Sequence, residues 1–77
     1  MAKILVVDDD EALQELMRLL LEREGHLVVS HPSAVDAVER IRRERPDLVV
    51  LDIMMPEATG WEILNRLKSQ SETSRIP

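Results

Sequence analysis

The sequence predicts an α/β protein built on an open parallel sheet. Its 77 residues alternate short apolar runs rich in branched residues with longer segments whose apolar residues recur at helical spacing. The order is strand, helix, strand, helix, strand, helix, which indicates right-handed parallel crossovers. The continuous apolar runs suit strands that are covered on both faces. One small domain, residues 1–77, is the most that this length supports.

The first unit joins a strand to a helix through an acidic turn. Ile4 to Val7 form the strand. Asp9 or Asp10 can cap the first turn of the helix, and Gly25 suits the left-handed conformation that ends it. The helix carries an apolar stripe at the spacing i, i+3, i+4, i+7 and i+8, made of Leu13, Leu16, Met17, Leu20 and Leu21.

The second unit places a strand at Leu27–Val29 and a helix that is predicted to open at Ser33. Asp36 stands three residues after Ser33, as in a capping box. Pro46 ends the helix because the residue before a proline disfavours the helical conformation. The apolar face of this helix consists of Ala34, Ala37, Val38 and Ile41.

The third unit begins with a strand at Leu48–Leu51, which runs directly into Asp52. After a loop, Thr59 and Glu62 form the Thr-x-x-Glu pattern of a capping box and open the third helix. Its apolar stripe consists of Ile63, Leu64 and Leu67, with Trp61 at the margin.

Composition narrows the classes of function. The absence of cysteine removes disulfides and thiolate metal sites. Apolar runs of about four residues are too short to span a membrane, and the amino terminus reaches an acidic cluster too soon for a secretory signal. A net charge of −5, from 15 acids and 10 bases, argues against a nucleic-acid surface. We therefore expect a cytoplasmic protein that binds neither membrane nor nucleic acid directly.

Three carboxylates follow two of the predicted strands. Asp8 and Asp9 close the first strand, and Asp52 closes the third. Ligands of open parallel sheets bind beyond the carboxyl ends of the strands. If these strands are neighbours, the mutual repulsion of the acids is relieved by proton uptake or by a hard cation, for which Mg²⁺ or Mn²⁺ suits an oxygen-only ligand set. A carboxylate beside such a metal can also accept a phosphoryl group. The alternative is that these acids only cap a turn and a helix.

Three segments, KILVVDDDEAL, ERPDLVVLDIMMP and PEATGWEIL, resemble the receiver domain of bacterial two-component response regulators. The resemblance covers the whole chain. It implies a flavodoxin-like sheet and a module that a histidine kinase or phosphotransfer protein phosphorylates. It also implies that Asp52 is the phosphoacceptor. The metal ligands that it implies are Asp9, Asp52, the backbone carbonyl of Met54 and, through water, Asp8, and the residues that shape the site loop are Pro56 and Gly60.

The sequence departs from the family at its carboxyl end. The family has five strands in the order 2-1-3-4-5, whereas this sequence stops at Pro77, where the fourth strand is expected. The hydroxyl residue and the lysine that contact the phosphoryl group in the family therefore have no match here. We expect a partial receiver domain that is phosphorylated poorly, is not an enzyme in its own right, exposes apolar surface on its first helix and self-associates through the Leu48–Leu51 edge.

Two other classes of function stay open at this point. Asp8-x-Asp10 after a strand faintly resembles the nucleophile motif of haloacid-dehalogenase-like phosphatases, although Ala12 stands where that family prefers Thr or Val. The chain could also be a non-catalytic interaction or dimerisation fragment with an idle acidic site.

Overall fold

The computed structural model describes residues 1–33, 35–52, 60–70, 73 and 75–77. Six elements alternate along the chain: β1 (Lys3–Val7), α1 (Glu11–Arg23), β2 (Leu27–His31), α2 (Ala37–Glu44), β3 (Leu48–Leu51) and α3 (Gly60–Lys68). The three strands pair in parallel in the order β2-β1-β3. The predicted α/β fold with an open parallel sheet is confirmed.

Strand β1 lies at the centre of the described sheet and is the most buried element. Ile4 to Val7 are each no more than 3% exposed, because neighbouring strands flank β1 on both sides and helices cover its faces. The main core joins β1 to the second and third helices and consists of Leu5, Val7, Ala37, Val38, Ile41, Ile63 and Leu67. Removing each such aliphatic side chain from water contributes about 1.5–3 kcal/mol, so the α2–α3 side of the sheet supplies most of the packing.

Helix α1 packs on the sheet differently from the prediction. Gln14 is buried and the predicted stripe residues Met17 and Leu21 are half-buried, whereas the other stripe residues Leu13, Leu16 and Leu20 are 41, 52 and 50% exposed. The helix is therefore rotated so that these three leucines lie to the side of the contact. This matches the expectation that α1 exposes apolar surface. The predicted ends hold, since the Asp10 side chain accepts a hydrogen bond from the Leu13 N–H and Gly25 has a φ of +89°.

Helix α2 begins four residues later than predicted. Its first residue is Ala37, and the preceding Asp36 adopts a left-handed conformation without a capping bond from its side chain. The predicted start at Ser33 is wrong because the Ser33 hydroxyl instead accepts a hydrogen bond from the Val35 N–H, a local turn that competes with helix formation. At the other end Arg45 is left-handed, with a φ of +50°, and α2 ends before it, consistent with the low preference of a residue before proline for the right-handed helical conformation.

Strand β3 has the predicted bounds, and its outer side contacts the carboxyl end of the chain. The Val49 N–H donates to the Pro77 carbonyl at 2.9 Å, and Ile76 packs against the core. One donor of the β3 edge is thus used within the chain. Thr59 of the predicted capping box lies outside the described residues, while Glu62 is in the first turn of α3.

Ion pairs and a hydrogen bond link α2 to the amino end of β1. The Lys3 ammonium lies 2.9 Å from a Glu44 carboxylate oxygen and 2.7 Å from the Glu44 carbonyl. The Arg40 guanidinium contacts the other Glu44 oxygen at 3.1 Å. Hydrogen bonds from Lys3 and then Arg40 lower the pKa of Glu44 below its ordinary value of 4.5.

We expect the stability of the fold to depend on the ionisation of Glu44. A carboxyl whose pKa is lower in the folded than in the unfolded chain stabilises the fold above its unfolded pKa, and this contribution is lost as the pH falls through the folded pKa. Glu44→Gln should lower the urea midpoint at neutral pH and flatten its decline below pH 4.5. The control Glu39→Gln removes an exposed ion pair with Arg42 and should change the midpoint little. Equal midpoints for Glu44→Gln and the unsubstituted chain at pH 7 would contradict this role.

The β3 edge and the exposed leucines of α1 predict self-association. Sedimentation at micromolar concentration should detect a dimer or a larger assembly, most simply with β3 paired to β3 across a two-fold axis. Val50→Lys should dissociate it, because Val50 is half-buried on the edge strand. Leu27→Lys, which adds the same charge to the opposite edge strand β2, should leave it assembled. A compact monomer of the unsubstituted chain would refute the prediction.

Candidate metal-binding site

The pairing of β1 with β3 brings the acidic ends of the two strands together. Val7 and Leu51 are partners in the parallel register, and the Asp52 N–H continues the ladder by donating to the Val7 carbonyl at 2.9 Å. Asp8 and Asp52 therefore leave the sheet side by side. One carboxylate oxygen from each of Asp8, Asp9 and Asp52 lies within 4.8 Å of the others. The convergence expected from the sequence is present in the fold.

The three carboxylates differ in their exposure and in what holds them. Asp8 is 7% exposed, its N–H donates to the His31 carbonyl at 3.2 Å, and its Oδ1 accepts from the Asp10 N–H at 2.9 Å. Asp9 is exposed and Asp52 is half-buried. The cluster thus has a buried side, fixed by backbone hydrogen bonds, and an open side through which a ligand can approach.

Asp10 has a different role from Asp8 and Asp9. Its Oδ1 accepts the Leu13 N–H at 3.1 Å and caps α1. The pair Asp8-x-Asp10, which a haloacid-dehalogenase-like site requires, is therefore split between the acidic cluster and the helix cap. The cluster that does form uses Asp52, which that alternative leaves without a role.

The geometry of the cluster fits a small hard cation. Mg²⁺ binds oxygen ligands octahedrally at about 2.0–2.1 Å, so that ligand oxygens lie about 2.9–4.2 Å apart. The three carboxylates offer oxygens within 4.8 Å of one another, which needs only small side-chain movements for direct contact or one bridging water. A divalent cation also offsets two of the three negative charges. Asp8, Asp9 and Asp52 are thus able to hold Mg²⁺ or Mn²⁺.

The other expected site residues lie at or beyond the edge of the described segments. Met54 and Pro56 are outside the described residues, so the expected carbonyl ligand and loop proline stay predictions. Gly60 is the first residue of α3, and Trp61 follows it with 59% of its surface exposed. Trp61 therefore stands close in sequence to the expected site loop and can report on it.

Both lysines of the sequence are engaged away from the acidic cluster. Lys3 begins β1, about 16 Å from Asp8 at about 3.3 Å per strand residue, and pairs with Glu44. The Lys68 ammonium, at the end of α3, donates to the Ile76 carbonyl at 3.2 Å. The cluster therefore contains the acidic residues of the family pattern that the sequence resembles, and neither lysine lies beside them.

Sequence reasoning missed one polar residue that contacts the site. The Gln14 amide donates to the carbonyls of Val6, Asp8 and His31 at 3.0–3.1 Å. The position carries a signal, since Gln14 precedes Met17 by three residues and so shares the helix face that meets the sheet. An amide on a sheet-facing position indicates buried acceptors opposite it.

Among the residues that the structure describes, the helices are all too short or too polar to cross a bilayer.

Comparison with known proteins agrees with the geometry of the site. The family model for the response regulator receiver domain matches residues 4–77. The chain belongs to the response regulator receiver domain family. It is 39% identical over all of its 77 residues to Protein PilH of Pseudomonas aeruginosa and 36% identical over the same length to the transcriptional regulatory protein AfsQ1 of Streptomyces coelicolor.

Solved structures give the same result. The N-terminal domain of a response regulator receiver protein from Methanoculleus marisnigri superposes over the whole chain with a TM-score of 0.95 and 39% identity. The chain is shorter than its relatives, since it spans 64% of PilH, 33% of AfsQ1 and 63% of the Methanoculleus chain.

We expect saturable binding of Mg²⁺ with weak affinity, followed through the fluorescence of Trp61. Asp9→Ala should abolish the response, and Asp52→Asn should weaken binding by about tenfold or more, because each removes a charged ligand. Glu22→Gln, an equivalent loss of charge near the far end of α1, should have no effect. A titration without saturation in both fluorescence and calorimetry would count against the site.

Proposed function

We propose that the chain is the phosphoacceptor part of a two-component signalling protein. In this proposal Asp52 accepts a phosphoryl group from a histidine kinase or a phosphotransfer protein in a Mg²⁺-dependent reaction. The observation that carries the proposal is the convergence of Asp8, Asp9 and Asp52 at the carboxyl edge of the sheet, in a chain that belongs to the receiver family.

The reaction is a transfer between a phosphohistidine and a carboxylate. A carboxylate oxygen of Asp52 attacks phosphorus, an O–P bond forms, and the P–N bond to the donor imidazole breaks. The bond electrons leave with the imidazole nitrogen, and the product is an acyl phosphate. The Asp52 N–H is held by the Val7 carbonyl, which fixes the backbone from which the nucleophile projects. The open side of the cluster, beside Asp9, gives the donor its line of approach.

Asp8, Asp9 and Asp52 would hold the cation, and the Met54 carbonyl is the further ligand that the family resemblance implies. A bound Mg²⁺ supplies positive charge that screens the acids and the incoming phosphoryl oxygens. Asp8 is suited to an outer position because its Oδ1 already accepts the Asp10 N–H. Asp9 is exposed and suited to direct contact.

Charge accounting supports slow phosphorylation of the 77-residue chain by itself. Asp52 loses its own negative charge on phosphorylation, while the phosphoryl group brings about two. The site therefore moves from three negative charges to about four, and a divalent cation offsets two of them. Lys3 and Lys68 are both engaged elsewhere, so neither ammonium is placed to balance the remainder. Oriented positive charge is a large part of phosphoryl-transfer catalysis.

A second candidate is a non-catalytic interaction or dimerisation fragment whose acidic site is idle. The exposed leucines on α1 and the edge position of β3 favour it, because both are apolar surfaces able to bury area against another chain. The two candidates differ in whether Asp52 can be phosphorylated.

Intact mass spectrometry after incubation with acetyl phosphate and Mg²⁺ tests the proposal. We expect a slow, partial and hydroxylamine-sensitive gain of one phosphoryl group, because Asp8, Asp9 and Asp52 lie together while Lys3 and Lys68 are engaged elsewhere. Asp52→Asn should abolish the adduct, and Asp47→Asn, which changes an exposed aspartate at the amino end of the same strand, should retain it.

Each other result has a definite meaning. Phosphorylation as fast as that of a complete receiver domain would refute the expected impairment. An adduct that survives Asp52→Asn would refute the assignment of the acceptor. No adduct after prolonged incubation at saturating Mg²⁺ would favour the idle fragment.

A further inference from the structure

Gln14 stands apart from the other residues of α1. It is the one residue of this helix that is buried, with 7% of its surface exposed, although it is polar. Its Nε2 lies 3.1 Å from the Val6 carbonyl, 3.0 Å from the Asp8 carbonyl and 3.0 Å from the His31 carbonyl. The amide therefore joins the carboxyl ends of β1 and β2 immediately beneath the acidic cluster.

The orientation of this amide is fixed by its surroundings. An amide nitrogen carries two hydrogens, so the three carbonyl acceptors share them. The Oε1 atom is buried and has no hydrogen-bond partner among the described residues. Turning the amide over would place Oε1 against three carbonyl oxygens, which repel it. Leaving one acceptor unpaired has a cost, and the three contacts of Nε2 offset it.

The contacts of Gln14 enclose the backbone of Asp9. The Asp8 carbonyl, which belongs to the peptide before Asp9, accepts from Gln14 Nε2. The Asp10 carbonyl accepts from the Gln14 backbone N–H at 3.0 Å. Between them, the Asp10 N–H donates to Asp8 Oδ1 at 2.9 Å. The peptide groups on both sides of Asp9 are thus anchored, the preceding one by the Gln14 amide and the following one by Asp8.

We propose that Gln14 is a positioning residue that sets the metal affinity of the acidic cluster by holding the backbone of Asp9 in the ligating conformation. The inference rests on the proposed function, because it presumes that the cluster binds a divalent cation. Asp9 is exposed, so its carboxylate is directed by its backbone rather than by burial. Outer groups that orient metal ligands commonly change affinity by about 10–100-fold when they are removed.

Two substitutions separate the effect of hydrogen-bond donation by residue 14 from the effect of its side-chain size. Gln14→Met places a methyl group where Nε2 stands and keeps the length of the side chain, but it donates no hydrogen bond. Gln14→Lys supplies three N–H donors for the three carbonyls, and its one extra atom can enter the adjoining cavity of about 220 Å³, which Gln14, Glu15 and Arg18 help to line. Only a role that depends on donation makes lysine the better replacement.

Thr73→Val is the control for stability alone. Thr73 follows the end of α3 and is 1% exposed. Its hydroxyl donates to the Leu67 carbonyl at 2.6 Å. Valine keeps the shape and loses this buried hydrogen bond. The variant should therefore be destabilised, as Gln14→Met is, without any change at the acidic cluster.

The experiment measures the dissociation constant for Mn²⁺ from the electron paramagnetic resonance signal of the free ion, using the folded 77-residue chain and its variants. Circular dichroism is used to compare the unsubstituted chain and its variants at the same folded fraction. We expect Gln14→Met to weaken Mn²⁺ binding by about tenfold or more. Gln14→Lys adds a positive charge near the acids, which opposes cation binding, so it should bind Mn²⁺ less tightly than the unsubstituted chain but at least about threefold more tightly than Gln14→Met, and Thr73→Val should leave the constant unchanged.

Every outcome decides the inference. Equal Mn²⁺ affinity of Gln14→Met and the unsubstituted chain overturns it alone. Absence of saturable binding by the unsubstituted chain overturns both the inference and the proposed function. Weakening by Thr73→Val as large as that by Gln14→Met assigns the effect to stability and overturns the inference. If Gln14→Met does not fold, Gln14→Leu, which is also neutral and lacks a donor, takes its place: a tenfold weaker Mn²⁺ affinity supports the inference, and an unchanged affinity refutes it.

Discussion

The parallel register of β1 against its two neighbouring strands fixes both the core and the acidic cluster. Val7 is paired with His31 on one side and Leu51 on the other, so all three strands end at the same level of the sheet. A shift of one residue would exchange the two faces of a strand and move core side chains to the opposite face. The same register sets the acidic cluster, because Asp8 and Asp52 are the next residues along their strands. Core and site are thus fixed by one ladder of backbone hydrogen bonds.

The convergence of three carboxylates at one end of the sheet costs electrostatic free energy. Three carboxylates lie within 4.8 Å of one another at the edge of a well-packed core, and none of the chain's lysines is beside them. The apolar packing of β1 with α2 and α3 holds the strand ends in place against that repulsion. Backbone donors and the Gln14 amide then fix the turn after β1. Such a site gains stability from a divalent cation, and the proposed reaction uses that property.

The two faces of the sheet are covered very differently. On one face α2 and α3 bury a continuous aliphatic cluster. On the other, α1 meets the sheet through Gln14, Met17 and the Arg18–Ser30 hydrogen bond, and most of its leucines remain exposed. Relatives of this family are longer than this chain, which spans 33% of AfsQ1 and 64% of PilH. The asymmetry makes the α1 side and the β3 edge the surfaces on which further contacts of this chain are to be sought.

The order of the elements, the bounds of β3, the stop at Gly25 and the break before Pro46 were predictable from the sequence, because each depends on local periodicity or on the backbone limits of one residue. The sequence also placed the acids at strand ends, and the resemblance of its motifs indicated the family. The rotation of α1, the late start of α2 and the burial of Gln14 became visible only in the folded chain. A periodic pattern records which side chains avoid water, but not which carbonyls of neighbouring strands need a donor. The need for that donor arises only when β1 and β2 end side by side.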